Sequence, residues 1–214
     1  MRLHLSLSKN TEPVPFNYQP YLVGCLHKWI GENDVHDQVS LYSFSWLKNS
    51  RTKAKGLDFP QGGNWFISSY DTNLLKSIVT GIQQSPDINF GLKVKAITIQ
   101  EDPDFRGATF FKVASPIFIK RNSKFYFYSD IEADNLLTET LQTKLKKANL
   151  PTEGIKVSFD KNYANPAIKA ITYNGILNKA SLCPIIVEGT PEQVAFAWNV
   201  GIGNSTGIGF GALI

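Results

Sequence analysis

Leu3, Leu5 and Leu7 alternate with His4 and Ser6, the period of a strand that buries one face. A turn-rich stretch follows at 10–15. Leu22, Leu26, Trp29 and Ile30 then recur at helical spacing until Gly31, which predicts a helix over 21–30. Residues 41–47 and 64–69 read as strands, 72–82 as a helix, and the alternation of 93–99 as a further strand. The order is strand, helix, strand, strand, helix, strand.

The second half runs through a similar series. Residues 109–120 and 124–128 read as extended, with Asn122-Ser123 as the turn between them. A helix over 132–148 carries Leu136, Leu137, Leu141 and Leu145 on one stripe. Strands at 155–160, 167–173 and 184–187, a helix over 191–198 and a last strand over 210–214 complete it. The doubling predicts an α+β fold of two tandem ferredoxin-like (RRM-like) domains with antiparallel sheets, residues 1–105 and 106–214, each leaving one sheet face uncovered. A single mixed domain is the competing architecture, and the repeat is least regular near residue 120.

A length of 214 residues suits either arrangement, and 43% hydrophobic residues is ordinary for a globular protein. Lysine and arginine number 22 against 18 acids, a net charge of +4 that permits nucleic acid without requiring it. Cys25 and Cys183 are too few for a disulfide framework and lack metal-ligand spacing. The start has no signal-peptide pattern, and no run approaches the roughly 18 to 20 apolar residues of a membrane helix. The expectation is a cytoplasmic protein without a membrane partner.

Gly201, Gly203, Gly207, Gly209 and Gly211 place five glycines in eleven positions. No helix and strand follow them, as a dinucleotide site needs, and no Lys-Ser or Lys-Thr pair marks a triphosphate loop. Two readings stay open: a tight structural hairpin, or a loop whose N–H groups approach phosphate while Asn204, Ser205 and Thr206 donate to phosphate or ribose. Lys48, Arg51, Lys53 and Lys55, between Trp46 and Phe59, form either a solvated loop or an RNA clamp in which cations hold phosphates and rings stack on bases. Lys112, Lys120, Arg121 and Lys124 form a second basic stretch. Lys144, Lys146 and Lys147 close a helix, where cations favour the dipole whether or not RNA binds. Asp34 and Asp37 beside His36, and Asp102 and Asp104 around Pro103, make no distinctive metal motif, so no metal and no cofactor is expected. Of three histidines, His4 reads as structural or solvent-facing, His27 lies on the first helix and His36 in a polar connection.

The glycine block, preceded in order by Arg2-Leu3-His4-Leu5, Pro15-Phe16-Asn17-Tyr18, Leu41-Tyr42-Ser43-Phe44-Ser45 and Ser115-Pro116-Ile117, resembles the CRISPR repeat-RNA processing endoribonucleases. These belong to the repeat-associated RNA-binding superfamily with tandem ferredoxin-like domains. The resemblance implies metal-independent cleavage to a 2′,3′-cyclic phosphate and a 5′-hydroxyl. The family's principal catalytic histidine, between the first helix and the aromatic strand, maps to His36. His27 maps to a helix position often held by tyrosine or a second active-site group. Two imidazoles suit the reaction, one taking the 2′-hydroxyl proton and one protonating the departing 5′-oxygen. Ser40 stands where the family frequently has a lysine, so the cation that offsets phosphorane charge falls to Lys28, Lys48 or Arg51, with Lys28 favoured because it adjoins His27. The resemblance also makes the second basic stretch a candidate for gripping the repeat. Expected partners are a CRISPR repeat RNA, a CRISPR effector complex and a second copy of the chain. A catalytically weak or inactive crRNA-binding subunit is the alternative, and a protein-interaction module is a third reading.

Overall fold

The computed structural model describes residues 1–31 and 39–214. The first half contains β1 (Arg2–Leu7), α1 (Gln19–Ile30), β2 (Tyr42–Phe44), β3 (Arg51–Lys53), β4 (Gly56–Asp58), β5 (Asn64–Ser69), α2 (Thr72–Gln84) and β6 (Val94–Gln100). Four strands make one antiparallel sheet in the order β2-β5-β1-β6. The leucine alternation in β1 is realised as expected: Leu3, Leu5 and Leu7 are buried while His4 and Ser6 are exposed. Each such leucine contributes about 1.5–3 kcal/mol through removal from water. Helices α1 and α2 cover that face, and they approach closely because Gly81 leaves no Cβ to strike the Trp29 backbone. Asp71 begins α2 by accepting from the Asn73 amide, satisfying one of the donors a helix start leaves open.

The second half holds β7 (Ala108–Phe111), β8 (Ile119–Arg121), β9 (Lys124–Tyr126), α3 (Ala133–Lys147), β10 (Lys156–Phe159), β11 (Ala167–Tyr173), β12 (Ile176–Leu182), β13 (Ile185–Glu188) and α4 (Pro191–Val200). Its main sheet is antiparallel in the order β10-β13-β7. Leu137, Leu141 and Leu145 of α3 are buried over it with Val157, Val187 and Val194, so the leucine stripe is realised, Leu136 lying at its half-buried edge. A capping box between Thr190 and Gln193, with Pro191 in the first turn, fixes the start of α4. Among the described residues, no helix is long and apolar enough to cross a membrane.

Three expectations are corrected. Residues 210–214 do not form a regular last strand. Their partner segment carries Ser115 and Pro116, so the pairing reduces to one bridge, Val113 with Leu213, and flanking bonds such as Ala114 N–H to the Ala212 carbonyl at 2.7 Å. The aromatic strand shortens from 41–47 to Tyr42–Phe44 because the Trp46 amide turns to the Ala114 carbonyl, 3.2 Å away in the other half. Two hairpins were not anticipated: β3–β4, where a basic loop was expected, and β11–β12, which extends the predicted 167–173 strand through Asn174-Gly175. Both turn residues there have positive φ, the conformation a two-residue hairpin turn demands.

Arg2 joins the halves. Its guanidinium lies between the rings of Phe66 and Trp198, 3.9 and 3.7 Å from their centroids, and donates to Ser68 Oγ at 2.6 Å and the Leu213 carbonyl at 2.8 Å. Burial pulls its pKa down to about 9, against the attraction of Asp102, so it stays charged at neutral pH. Ser43 Oγ reaches the Asn199 carbonyl in the same seam, at 3.1 Å.

Candidate nucleic-acid interface

The glycine segment leaves α4 at Gly201 and returns at Gly211, whose N–H donates to the Pro116 carbonyl. All five glycines are buried, and Ser205 is the exposed residue of the turn, flanked by half-buried Asn204 and, further on, Ile208. At Gly207 an added Cβ would strike Ser40 Oγ and come within 2.9 Å of the Tyr42 hydroxyl. Gly211 has φ 63, and a Cβ there would collide with the Ile202 carbonyl oxygen. We expect Gly211→Ala to cost about 2–4 kcal/mol, combining left-handed strain with overpacking. Urea unfolding would show it, and a loss below about 0.5 kcal/mol would contradict a packed turn.

The glycines permit the close packing of a structural turn, and Ser205 is exposed, but Thr206, expected to donate to phosphate or ribose, is buried and accepts from Lys144. Asn204 is pinned, its Oδ1 accepting from the Lys120 amide at 3.0 Å and from Arg121 at 2.9 Å. Arg121 also donates to Thr140 Oγ1 at 2.6 Å and to the Lys120 and Leu136 carbonyls. Underneath, the buried Lys144 Nζ donates to the Val200 and Gly201 carbonyls and Thr206 Oγ1, at 3.1, 3.0 and 3.0 Å. The two carbonyls belong to the C-terminal end of α4, where a cation complements the helix dipole. Burial lowers the Lys144 pKa to about 7. Lys144 is expected from the sequence only as a helix-end lysine. Its place between Leu141 and Leu145, on an apolar stripe, is the signal that it points inward.

A pocket of about 460 Å³ opens between this turn and α3, lined by Arg121, Thr140, Thr143 and Lys144 on one side and Val39 and Ser40 on the other. Lys147 donates to the Val39 carbonyl at 2.9 Å. Tyr42 donates to the Gly207 carbonyl at 3.4 Å. Burial, reinforced by Tyr173, pushes its phenol up to about 12 despite a bond with Ser40, so it remains neutral.

The remaining predicted positions are dispersed. His36 lies outside the described residues, as do Asp34 and Asp37. His27 is half-buried on α1, and Lys28 is turned to the end of α2, donating to Ser85 Oγ at 3.1 Å and the Asp87 carbonyl at 2.7 Å. His4 is exposed beside Gln100, 2.7 Å away. Lys48 is exposed, and Arg51, Lys53 and Lys55 project from the β3–β4 hairpin, Lys53 pairing with Asp58 at 3.5 Å. Phe59 is fully buried in the first core and has no face for a base, which leaves half-buried Trp46 as the ring at that surface. Lys112 is exposed. Lys120 and Lys124 lie over Phe125 and Tyr126, at 5.5 and 4.5 Å from the ring centroids.

The sequence model of the family described as "CRISPR associated protein Cas6, C-terminal" matches residues 100–213. No curated protein sequence matches the chain. Among solved structures, the product of a Cas6-related gene from Pyrococcus furiosus superposes with a TM-score of 0.86 at 20% identity, covering 100% of this chain and 97% of that one. A CRISPR associated protein Cas6 gives 0.83 at 19% identity over 100% and 98%. A RAMP protein described as binding different RNA substrates gives 0.82 at 17% over 100% and 99%. At these identities the superpositions establish a shared fold.

Proposed function

This chain belongs to the Cas6 family of CRISPR-associated proteins, and on that premise we propose that it is a metal-independent endoribonuclease that cuts CRISPR repeat RNA during crRNA maturation. The observation that carries the reading is the family match over the region containing the glycine turn, whose polar face sits beside the cation-lined pocket. We read each half as a ferredoxin-like unit, 1–105 and 106–214. The order β2-β5-β1-β6 supports this in the first, and in the second the Leu213 bridge to Val113 adds a fourth position beside β7.

In the proposed reaction the 2′-oxygen attacks the adjacent phosphorus as its proton passes to one imidazole. The bond from phosphorus to the 5′-oxygen breaks, and that oxygen takes a proton from the second imidazole. The products are a 2′,3′-cyclic phosphate and a 5′-hydroxyl, with no net oxidation and no water consumed. His36 and His27 are assigned these roles. Lys28 would have to leave Ser85 and the Asp87 carbonyl to meet a phosphate. RNA contacts are assigned to the polar face of the turn and to the two basic stretches, with the turn's glycines holding it in shape.

Single-turnover incubation with the organism's own repeat RNA, in chelator, tests the proposal. One cut with cyclic-phosphate and 5′-hydroxyl ends is expected. Ser40 at the position the resemblance gives to lysine favours a second reading, a subunit that holds repeat RNA without cutting it. Tight binding with intact RNA after prolonged incubation would select that reading.

A further inference from the structure

Thr140, Thr143, Lys144 and Lys147 recur along α3 at the spacing i, i+3, i+4, i+7, which places them on one helix face. The first three line the pocket under the glycine turn, and the fourth reaches across to the Val39 carbonyl. The lining carries two basic side chains, Arg121 and Lys144, and the hydroxyls of Ser40, Thr140, Thr143, Ser205 and Thr206, with no aspartate or glutamate among the described residues of the lining. Such a cavity concentrates positive potential and favours an anion. Lys144 meets three protein oxygens and Arg121 four, so the N–H groups of both serve the fold. Lys147 differs: it is exposed, and its ammonium, with three donors, spends one on Val39.

We propose that this pocket is a phosphodiester subsite of the RNA path and that Lys147 is the residue that contacts the phosphate, with Thr143 and Ser205 as uncharged donors beside it. The inference rests on the RNA-binding reading above and adds to it a cation from α3, outside both basic stretches in the sequence. Helix α3 thereby does two jobs on one face, fixing the turn from beneath through Lys144 and meeting the strand at the rim through Lys147.

The test is filter binding of the repeat RNA across about 50–200 mM salt, with the 2′-hydroxyl at any mapped cleavage position replaced by hydrogen. Full-length parent, Lys147→Ala, Lys147→Arg and Lys146→Ala would be compared, Lys146 being the exposed neighbour outside the pocket. Lys147→Ala is expected to weaken binding by about tenfold at the lowest salt, the loss of one charged hydrogen bond. It should also flatten the slope of log K against log salt by about 0.7, one contact to a single strand. Lys147→Arg should keep both values, and Lys146→Ala should change neither. Equal effects of Lys146→Ala and Lys147→Ala would reveal a generic charge effect and overturn the subsite, as would an unchanged slope in Lys147→Ala. A parent that binds the repeat but leaves the unmodified RNA uncut removes the catalytic reading alone, whereas a parent that binds no RNA removes both.

Discussion

Replacing His36 with alanine is expected to slow single-turnover cleavage of repeat RNA by about 10²- to 10⁴-fold, the range a positioned acid or base contributes. The Kd for the repeat should stay within about threefold of the parent, because His36 is assigned to proton transfer and the phosphate contacts to the turn and the basic stretches. His27→Ala should slow the reaction as well, and a smaller effect would mark it as a group that orients substrate. Measuring rate and Kd on the same preparations separates chemistry from binding. Cleavage at the parental rate by the His36→Ala protein would falsify the assignment.

Lys144→Met is the second large effect, and its signature is a dependence on pH. The folded pKa of about 7 lies below the 10.5 of the free side chain, so between these values unfolding takes up a proton. The contribution is therefore fully present above 10.5 and is lost as pH falls towards 7. From pH 7 to 9 the parent should gain up to about 2–3 kcal/mol over the methionine variant, two pH steps at about 1.4 kcal/mol each. Methionine fills similar volume, but it leaves the Val200 and Gly201 carbonyls and Thr206 without their donor, at about 1–3 kcal/mol for each buried group left unsatisfied, offset by relief of lysine desolvation. Urea denaturation of both proteins at several pH values tests this. Parallel stability curves would show that Lys144 does not titrate in the folded protein in this range.

Much of the framework was readable because periodicity reports burial directly. Leu3, Leu5 and Leu7 on one side of β1, and Leu137, Leu141 and Leu145 along α3, are buried as their spacing requires. The β11–β12 hairpin was half missed because Ile168, Ile176 and Leu177 are exposed, which removes the alternation a half-buried strand shows, although Asn174-Gly175 is a strong hairpin signal in its own right. The glycine block was legible as a place needing close approach, but not as to what approaches. That depended on Ser40, Tyr42 and the Phe118 carbonyl, which sequence separation hides. Lys144 and Lys147 were assigned to the helix dipole, since three lysines in a last turn satisfy that rule whichever way they face. The pocket requires α3, the turn and Ser40 together, a relation no local pattern encodes.

Arg2 and the Leu213 carbonyl are 211 residues apart in sequence. Contacts of such separation carry a high entropic cost of closing the intervening chain, which the packing of the seam has to offset. The glycine turn hangs on this same closure, touching Ser40, Tyr42 and Phe44 of one half while anchored by Lys144 in the other. The second half carries the anchors of the turn at Pro116, Lys120 and Lys144, while the Ser40 wall of the pocket comes from the first. The pocket proposed for phosphate is thus complete only where the two halves meet, whereas the cations of the β3–β4 hairpin belong to the first half alone.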